Sequence, residues 1–386
     1  MRLWDSLKPG FAANDMSMQQ KSTATVTWTT YRNFGTYLQA YALQKAVVSL
    51  GYSNRIIDDG KIVSSFPVKK FSPLRMLRNI GWIDRKRDRF RRRSLETFRE
   101  FDDFKTRYLD MDADWSDKKD LASRYGTYIA GSDQIWSPNV RFDDFYYLAF
   151  TDRPKVSYAP SFGASAYPEE RAALVRSHIE RFACLSVREP QGAAIMNDTF
   201  GLQAEIVADP TMLLERKDWE CLIGGDAGKD ESERPYVLCY LLTYNRRYID
   251  FVKDYCRRNS LDMKVVVVSP DFVGISDNEL YTGPAGFLKA VRDAETVMTD
   301  SFHGTIFSLI FEKEFYTFKR FSDDSVLNQN SRLEHLLSEM GLIERFMDEK
   351  SLHVIDNDVD HVSVGQRIAR MREKSMRYLK DSLETV

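Results

Sequence analysis

The chain has 386 residues, 43% of them apolar, which is enough for more than one packed core and excludes disorder along the whole length. Its 55 basic and 57 acidic residues nearly balance, so a globally basic nucleic-acid binder is also excluded. The sequence contains no apolar run long enough to span a membrane, and residues 1–15 lack the apolar stretch of a signal peptide. We therefore expect a cytoplasmic protein that does not bind nucleic acid.

Short β-branched segments alternate with helical patterns from residue 23 to residue 319, which is typical of βα units around a mostly parallel sheet. The first unit is predicted to be a strand over 23–30 and a helix over 36–50, which ends at Gly51. Further strands are predicted at 54–58, 127–130, 155–159, 183–187 and 205–208. Together these six strands would form one complete sheet.

A basic segment interrupts this pattern after the second strand. From Lys69 to Arg93 there are eleven Lys or Arg residues against two acidic ones, and we predict a basic helical insertion over 69–109. A helix of that charge would suit peripheral contact with an anionic membrane at the inner face of the cell, or an acceptor diphosphate. The alternative is a merely solvated helix.

A second series of units follows a stretch rich in Gly and charge. Strands are predicted at 236–242, 264–269, 296–299 and 315–318, with helices at 246–258, 285–292 and 305–312. The predicted fold class is therefore α/β, with two Rossmann-like domains facing a cleft. The predicted boundaries are an N-terminal extension at 1–22, an N-terminal domain at 23–223, a linker at 224–234, a C-terminal domain at 235–345, and a C-terminal segment at 346–386 whose helix, over 364–384, packs back on the N-terminal domain.

The strongest local motif runs from Thr299 to Thr305 (TDSFHGT). An apolar strand ends there, Ser301 can cap the next helix, and His303 would lie in the first turn of that helix beside Gly304. Free backbone N–H groups at such a helix start bind anions. A histidine beside a bound anion can move a proton; the alternative is a histidine that only caps the helix.

Two further motifs place polar side chains at strand ends. Arg188 ends a buried strand just before Pro190, where its guanidinium could bind a carboxylate or phosphate in a bidentate way, or form an ion pair with Glu189 or another acid. The segment from Gly131 to Trp136 (GSDQIW) could bind sugar hydroxyls and present Trp136 as a stacking face. A plain Asx turn explains that spacing almost equally well.

Together these motifs resemble the polysaccharide pyruvyl transferase family. The resemblance runs in family order over roughly residues 23 to 345. Its pieces are NFGTYLQAYALQ from Asn33, GSDQIW from Gly131, SYAPSFGAS from Ser157, SVRE from Ser186, DPT from Asp209, TDSFHGT from Thr299 and NSR from Asn330.

The resemblance implies a two-domain fold similar to GT-B glycosyltransferases and transfer of pyruvate from phosphoenolpyruvate onto two hydroxyls of a saccharide as a ketal. It implies that His303 is catalytic, that Arg188 binds the donor, and that the N-terminal domain is the acceptor side. Several members carry Arg-Leu directly before the histidine, where this chain has Ser301 and Phe302, so Arg332 is the candidate substitute for the missing cation.

The complete set of expected site residues extends this assignment. His303 is catalytic; the donor would be bound by Arg188, Ser301, Gly304, Thr305 and Arg332, and the acceptor by Asn33, Gly35, Ser132, Asp133, Gln134 and Trp136. The expected partners are phosphoenolpyruvate and a saccharide, free or lipid-linked, with no metal and no other cofactor. The alternatives are a nucleotide-sugar glycosyltransferase of the GT-B type and a non-catalytic relative.

Overall fold

A computed structural model describes residues 21–65, 82–224, 234–322 and 329–386. Most of the predicted N-terminal extension, the predicted linker and the first part of the basic insertion, 69–81, lie outside the described residues. The described residues form two α/β domains, each with an all-parallel central sheet, and the predicted fold class is confirmed.

The N-terminal sheet has the strand order β3-β2-β1-β4-β5, and every neighbouring pair is parallel. Its strands are β1 (Ser22–Val26), β2 (Ser53–Ile57), β3 (Met111–Asp112), β4 (Thr127–Ala130) and β5 (Lys155–Ser157). The helices of this half are α1 (Phe34–Ser49), α2 (Gly60–Ser64), α3 (Trp82–Tyr108), α4 (Lys118–Leu121), α5 (Glu169–Ile179), α6 (Pro190–Phe200) and α7 (Arg216–Ile223).

The prediction of one six-stranded sheet is wrong in this half. The short strands β6 (Ser186–Val187) and β7 (Glu205–Ile206) pair with each other in a separate two-stranded sheet. A single bridge between Val156 and Cys184 connects this small sheet to the edge of the large one. Two-residue strands are too short to reveal from their sequence which neighbour they pair with.

The C-terminal sheet has the strand order β10-β9-β8-β11-β12-β13 and is also parallel throughout. Its strands are β8 (Tyr236–Tyr240), β9 (Asp262–Val266), β10 (Asn278–Leu280), β11 (Thr296–Thr299), β12 (Glu314–Phe318) and β13 (Phe346–Met347). The helices are α8 (Arg246–Asn259), α9 (Pro284–Asp293), α10 (Phe302–Ile310), α11 (Ser331–Met340) and α12 (His361–Thr385). Because β13 pairs with β12, the C-terminal sheet continues past the predicted domain boundary at 345.

The last helix, α12, connects the two domains. Leu379 and Leu383 are buried in a cluster with Leu43 and Ile129 of the N-terminal domain. Earlier in the helix, Ile368 packs in the core that contains the C-terminal helices. The hydroxyl of Tyr378 donates a hydrogen bond of 3.0 Å to the carbonyl oxygen of Ser157, at the end of β5.

Aromatic rings fill the junction between the domains. Phe34, the first residue of α1, stacks on Phe287 of α9 with ring centroids 4.4 Å apart and planes 3° from parallel. Phe101 of α3 lies 5.4 Å from the same Phe34 ring. These buried contacts, each an aromatic pair of the favourable offset or stacked kind, fix the start of α1 against the C-terminal domain.

Helix α3 carries the described part of the basic insertion across to the C-terminal domain. Arg89 places its Nη2 2.9 Å from the buried carboxylate of Glu279, and the guanidinium of Arg93 lies 4.6 Å from the ring centroid of Tyr281. Further along the helix, the carboxylate of Glu100 accepts a hydrogen bond from the backbone of Gly283. Part of the basic charge is therefore used to bind the two domains together. None of the helices in the described part of the chain is both long and apolar enough to cross a membrane.

Candidate active site between the domains

A cavity of about 370 Å³ lies between the two domains, within the usual size range of small-ligand pockets. The residues that line it follow the carboxyl ends of strands in both sheets, which is where parallel α/β folds bind ligands. The N-terminal domain contributes the loop after β1, the start of α1, one face of α3, and Asp133 and Gln134 after β4. The C-terminal domain contributes residues after β8, β9, β10, β11 and β12, together with Arg332 of α11.

His303 lies in the first turn of α10 on the wall of this cavity, as its sequence motif predicts. Ser301 caps the helix, because its hydroxyl accepts a hydrogen bond of 3.3 Å from the backbone N–H of Gly304. The Nε2 atom of His303 is buried and lies 3.5 Å from a carboxylate oxygen of Asp209. The Nδ1 atom is therefore the ring nitrogen that remains for a substrate.

Asp209 forms the centre of a buried charge cluster behind the histidine. Its carboxylate accepts a hydrogen bond of 2.8 Å from Nη1 of Arg188 and two more from the backbone and hydroxyl of Thr211. Although burial acts to raise the pKa of Asp209, the positive charges of His303 and Arg188 hold it well below its usual range. The carboxylate is therefore ionised, and its negative charge faces Nε2 of His303.

Gly35 explains how the imidazole fits against α1. A Cβ atom at this position would lie 1.9 Å from Nδ1 of His303, so any side chain would overlap the ring. Asn33 caps α1 by accepting a hydrogen bond of 2.9 Å from the Gly35 backbone N–H. The predicted acceptor residue Gly35 thus lets the imidazole of the catalytic candidate pack directly against the start of α1.

Two arginines and a phenylalanine separate the main cavity from a smaller one of about 250 Å³. The ring of Phe302 contacts both guanidinium groups, with the Cζ atom of Arg188 4.7 Å and that of Arg332 5.5 Å from its centroid. Arg332 lines both cavities, whereas Arg188 lines only the smaller one. Arg332 is therefore the arginine that shares the main cavity with His303.

Both arginines have unused donors. Nε and Nη2 of Arg188 and Nε of Arg332 are buried without a hydrogen-bond partner among the described residues. Burial, and after it the nearby charge of Arg188, lowers the pKa of Arg332 to about 10, and no carboxylate in the described ranges forms an ion pair with it. Because Arg332 has no ion-pair partner among the described residues, its charge favours the binding of an anion. The sequence left open whether Arg188 binds a ligand or forms an ion pair with an acid. The structure shows an ion pair between its Nη1 and Asp209.

Side-chain hydrogen bonds between Gln134, Gln329 and Arg332 cross the cavity from one domain to the other. The side chain of Gln134 donates a hydrogen bond of 2.7 Å to Gln329, and the same oxygen of Gln329 accepts one of 2.6 Å from Arg332. Asp133, which has a positive φ of 73°, also lines the cavity and accepts a hydrogen bond from Thr36. Of the predicted acceptor residues, Asn33, Asp133 and Gln134 therefore reach the cavity.

Three predicted acceptor residues do not line it: Gly35, which packs against His303, and two residues buried in the N-terminal domain. Trp136 is completely buried, stacked at 5.8 Å on Tyr147, with its indole N–H bound to the carbonyl of Tyr146. Ser132 is also fully buried and donates its hydroxyl to the carbonyl of Ala159. The expectation that Trp136 is a sugar-stacking face is corrected, because its flat apolar surface is used in the core of the N-terminal domain.

Gly304 and Thr305, which were predicted to bind the donor, do not line the cavity. The N–H of Gly304 is taken by the Ser301 hydroxyl, and that of Thr305 by the Ser301 carbonyl. The Thr305 hydroxyl bonds within the fold, and a Cβ on Gly304 would lie 2.5 Å from the hydroxyl of Thr299. These two residues shape the start of α10, whereas Ser301 lines the cavity.

The sequence reasoning did not assign a role to Asp209. Its position in the DPT motif after a short strand was a usable signal, since the motif places a carboxylate at a strand end. The buried carboxylate of Asp300, directly before the helix cap, was also missed. It lines the cavity, accepts hydrogen bonds from the backbone of Leu242 and Thr243, and has a pKa raised to about 6 chiefly by burial.

Metal-binding side chains do not converge anywhere in the described ranges: no three His, Cys, Asp or Glu residues there could hold an ion together.

A model of the family described as polysaccharide pyruvyl transferase matches residues 33–320. The chain belongs to the polysaccharide pyruvyl transferase family. The match includes His303, Asp209, Arg188 and Gly35, and ends before Arg332. As a member of this family, the protein is a transferase that acts in polysaccharide modification.

Solved structures overlap with this family member along most of its length, at low sequence identity. The glycosyltransferase SnogD from Streptomyces nogalater has 12% identity and a TM-score of 0.42, covering 92% of this chain and 94% of that one. The UDP-GlcNAc 2-epimerase from Methanocaldococcus jannaschii has 9% identity and a TM-score of 0.44, covering 91% and 92%. A comparison with curated protein sequences finds no significant match.

Proposed function

We propose that this protein transfers pyruvate from phosphoenolpyruvate to two hydroxyls of one saccharide, forming a cyclic ketal and releasing phosphate. One observation carries the proposal: Arg332, a half-buried cation whose buried Nε has no hydrogen-bond partner among the described residues, lines the same cavity as a histidine that is backed by a buried carboxylate. An enol phosphate requires both features, a proton donor and positive charge for its phosphate and carboxylate.

The reaction can be written with all atoms accounted for. A proton adds to the methylene carbon of phosphoenolpyruvate, which leaves a cationic carbon at C2. One saccharide hydroxyl attacks C2 and loses its proton, and the phosphate then departs with the electrons of its C2–O bond. The second hydroxyl attacks C2, closes the ring and loses its proton. Of the two protons released, one replaces the proton taken up by the methylene carbon and the other leaves with phosphate.

The residues of the cavity would divide these tasks between them. His303, protonated and held by Asp209 through Nε2, would deliver the proton from Nδ1 and later accept one from a hydroxyl. Arg332, with Arg188 behind Phe302, would neutralise the donor's anionic groups. A positioned acid–base group of this kind contributes roughly 10²–10⁴ in rate.

Donor binding and ketal formation are tested separately. Phosphoenolpyruvate should raise the thermal midpoint of the wild-type protein, and Arg332→Gln should remove most of the shift. With a panel of 4-nitrophenyl glycosides, mass spectrometry should detect a product heavier by pyruvate less water, and His303→Ala should abolish it. His353, an exposed histidine outside both cavities, provides the matched control variant His353→Ala.

Three outcomes would contradict the proposal. Stabilisation by UDP or GDP instead of phosphoenolpyruvate would favour a nucleotide-sugar glycosyltransferase. Stabilisation by none of these would favour a relative without this catalysis. Full ketal formation by His303→Ala would refute the role of the histidine.

A further inference from the structure

The mouth of the cavity carries three aromatic side chains that face open space. Trp28 and Tyr31 come from the loop after β1, and Phe98 comes from α3; all three line the cavity. Tyr31 is 64% exposed and Phe98 is 38% exposed, while Trp28 is half-buried. We call these three side chains the aromatic rim. Leaving a large aromatic side chain exposed forgoes the stabilisation that burial would bring, so a cluster of them at a cavity mouth indicates a ligand surface.

The loop after β1, which carries Trp28 and Tyr31 of the rim, is fixed by hydrogen bonds to a buried carboxylate. Buried Asp59 accepts hydrogen bonds from the backbone N–H and hydroxyl of Thr29, at 3.2 and 2.7 Å, and from the hydroxyl of Thr30. The hydroxyl of Tyr146 donates to the other carboxylate oxygen of Asp59 at 2.9 Å. A loop fixed in this way presents its aromatic side chains with little further loss of conformational freedom when a ligand binds.

A second contact connects the loop to α3. The guanidinium of Arg32 lies 4.9 Å from the ring centroid of Phe98 and binds both carboxylate oxygens of Asp102 at 3.0 Å. This contact fixes the spacing between the two sides of the rim. It also neutralises the charge of Arg32, so this residue does not make the rim a basic surface of the kind that attracts an anionic membrane.

We propose that the aromatic rim is the acceptor-saccharide subsite, in which a pyranose ring stacks on Tyr31, contacts Trp28, whose ring is tilted 70° to that of Tyr31, and is directed towards His303. This inference rests on the proposed function for the direction of transfer. The face of an aromatic ring is negative and packs against the positively polarised C–H bonds of a sugar ring. Deeper in the same cavity, Asp133 and Gln134 offer polar groups for the sugar hydroxyls. The rim thus takes the stacking role that the buried Trp136 cannot fill.

Substitutions in the rim test the subsite. In the full-length protein, Tyr31→Ala should raise the KM for a 4-nitrophenyl glycoside about five- to tenfold, with the KM for phosphoenolpyruvate unchanged, while Tyr31→Phe keeps the ring and should remain close to wild type. Trp28→Ala should act in the same direction. Tyr244, which is 49% exposed and outside the cavity, supplies the control variant Tyr244→Ala, which should behave as wild type.

A binding measurement separates failure of the subsite from failure of the proposed function. Saturation-transfer difference NMR with the same glycosides, in the absence of phosphoenolpyruvate, should show contact with wild type and a reduced signal for Tyr31→Ala. If wild type binds glycosides through the rim but forms no ketal, the proposed reaction is wrong and the subsite stands. Unchanged KM and unchanged NMR contact in Tyr31→Ala would overturn the subsite. A vesicle-pelleting assay gives a second test. The subsite would also be overturned if Tyr31→Ala no longer pelleted with phosphatidylglycerol vesicles but still bound glycosides.

Discussion

Replacing Asp209 with Asn removes the negative charge that connects His303 to Arg188. The carboxylate lies 3.5 Å from His303 Nε2 and 2.8 Å from Arg188 Nη1, and its side chain is fully buried. Removing one partner of a buried ion pair costs about 3–5 kcal/mol, because the other charge stays buried. Since Glu189 remains 3.6 Å from Arg188, we expect the lower end of that range, about 3 kcal/mol.

The same substitution should slow catalysis. Without the carboxylate, His303 loses the negative charge beside its Nε2, and we expect kcat for ketal formation to fall by roughly 10²–10⁴. Steady-state kinetics at saturating phosphoenolpyruvate and glycoside measures this effect, and urea unfolding measures the stability. Asp112 is the matched control: it is equally buried and paired with Arg124, but lies outside the cavity, so Asp112→Asn should lose stability and keep kcat.

The pH dependence of stability provides a second measurement on Asp209→Asn. Because the folded-state pKa of Asp209 lies far below its unfolded value of about 3.9, its contribution is fully present above that value and is lost as pH falls towards the folded-state pKa. The difference in unfolding free energy between wild type and Asp209→Asn should therefore stay constant from pH 8 to about pH 5. An unaltered kcat in Asp209→Asn, with stability lowered as expected, would refute the catalytic part of the reasoning.

Three further substitutions address other parts of the site. Gly35→Ala, which would place a Cβ 1.9 Å from Nδ1 of His303, should lower kcat at least about 100-fold while the circular dichroism spectrum stays unchanged; normal kcat would show that the ring can move away. Trp136→Ala should lower the free energy of unfolding in urea by about 3–5 kcal/mol without raising the KM for the glycoside. A raised KM with unchanged stability would instead support the predicted stacking of a sugar on Trp136. For Asp300, whose pKa is raised to about 6, the folded state keeps a proton that the unfolded chain has already released above about pH 4, so stability falls as pH rises through this interval. The unfolding free energy of wild type should therefore drop by about 2 kcal/mol relative to Asp300→Asn between pH 4 and pH 7, and a parallel pair of pH curves would contradict this.

The elements with a strong local pattern were predictable from the sequence. The strands at 127–130 and 296–299 were predicted at the bounds that the structure has, because four consecutive apolar or β-branched residues between turns need no tertiary information. The position of Arg188 before Pro190 and of His303 in the first helical turn also followed from local spacing. The family motifs located the same two residues.

Side-chain burial could not be predicted in the same way. The GSDQIW motif contains four predicted acceptor side chains, yet the backbone turn exposes Asp133 and Gln134 to the cavity and leaves Ser132 and Trp136 buried in the core. A turn fixes the direction of the chain, but what each side chain meets depends on neighbours that are distant in sequence. For the same reason, the free helix-start N–H groups expected at Gly304 and Thr305 are occupied within the helix cap.

The basic insertion shows most clearly which features follow from the sequence and which depend on the tertiary structure. The sequence by itself determined two α/β domains, a helical segment of strong positive charge, and the residue types of an anion site. Only the tertiary structure decided that Arg89 of that segment binds Glu279 across the domain junction, and that Asp209 stands behind His303. Local periodicity and capping act over a few residues, whereas charge pairing and burial act between segments that only the folded chain brings together.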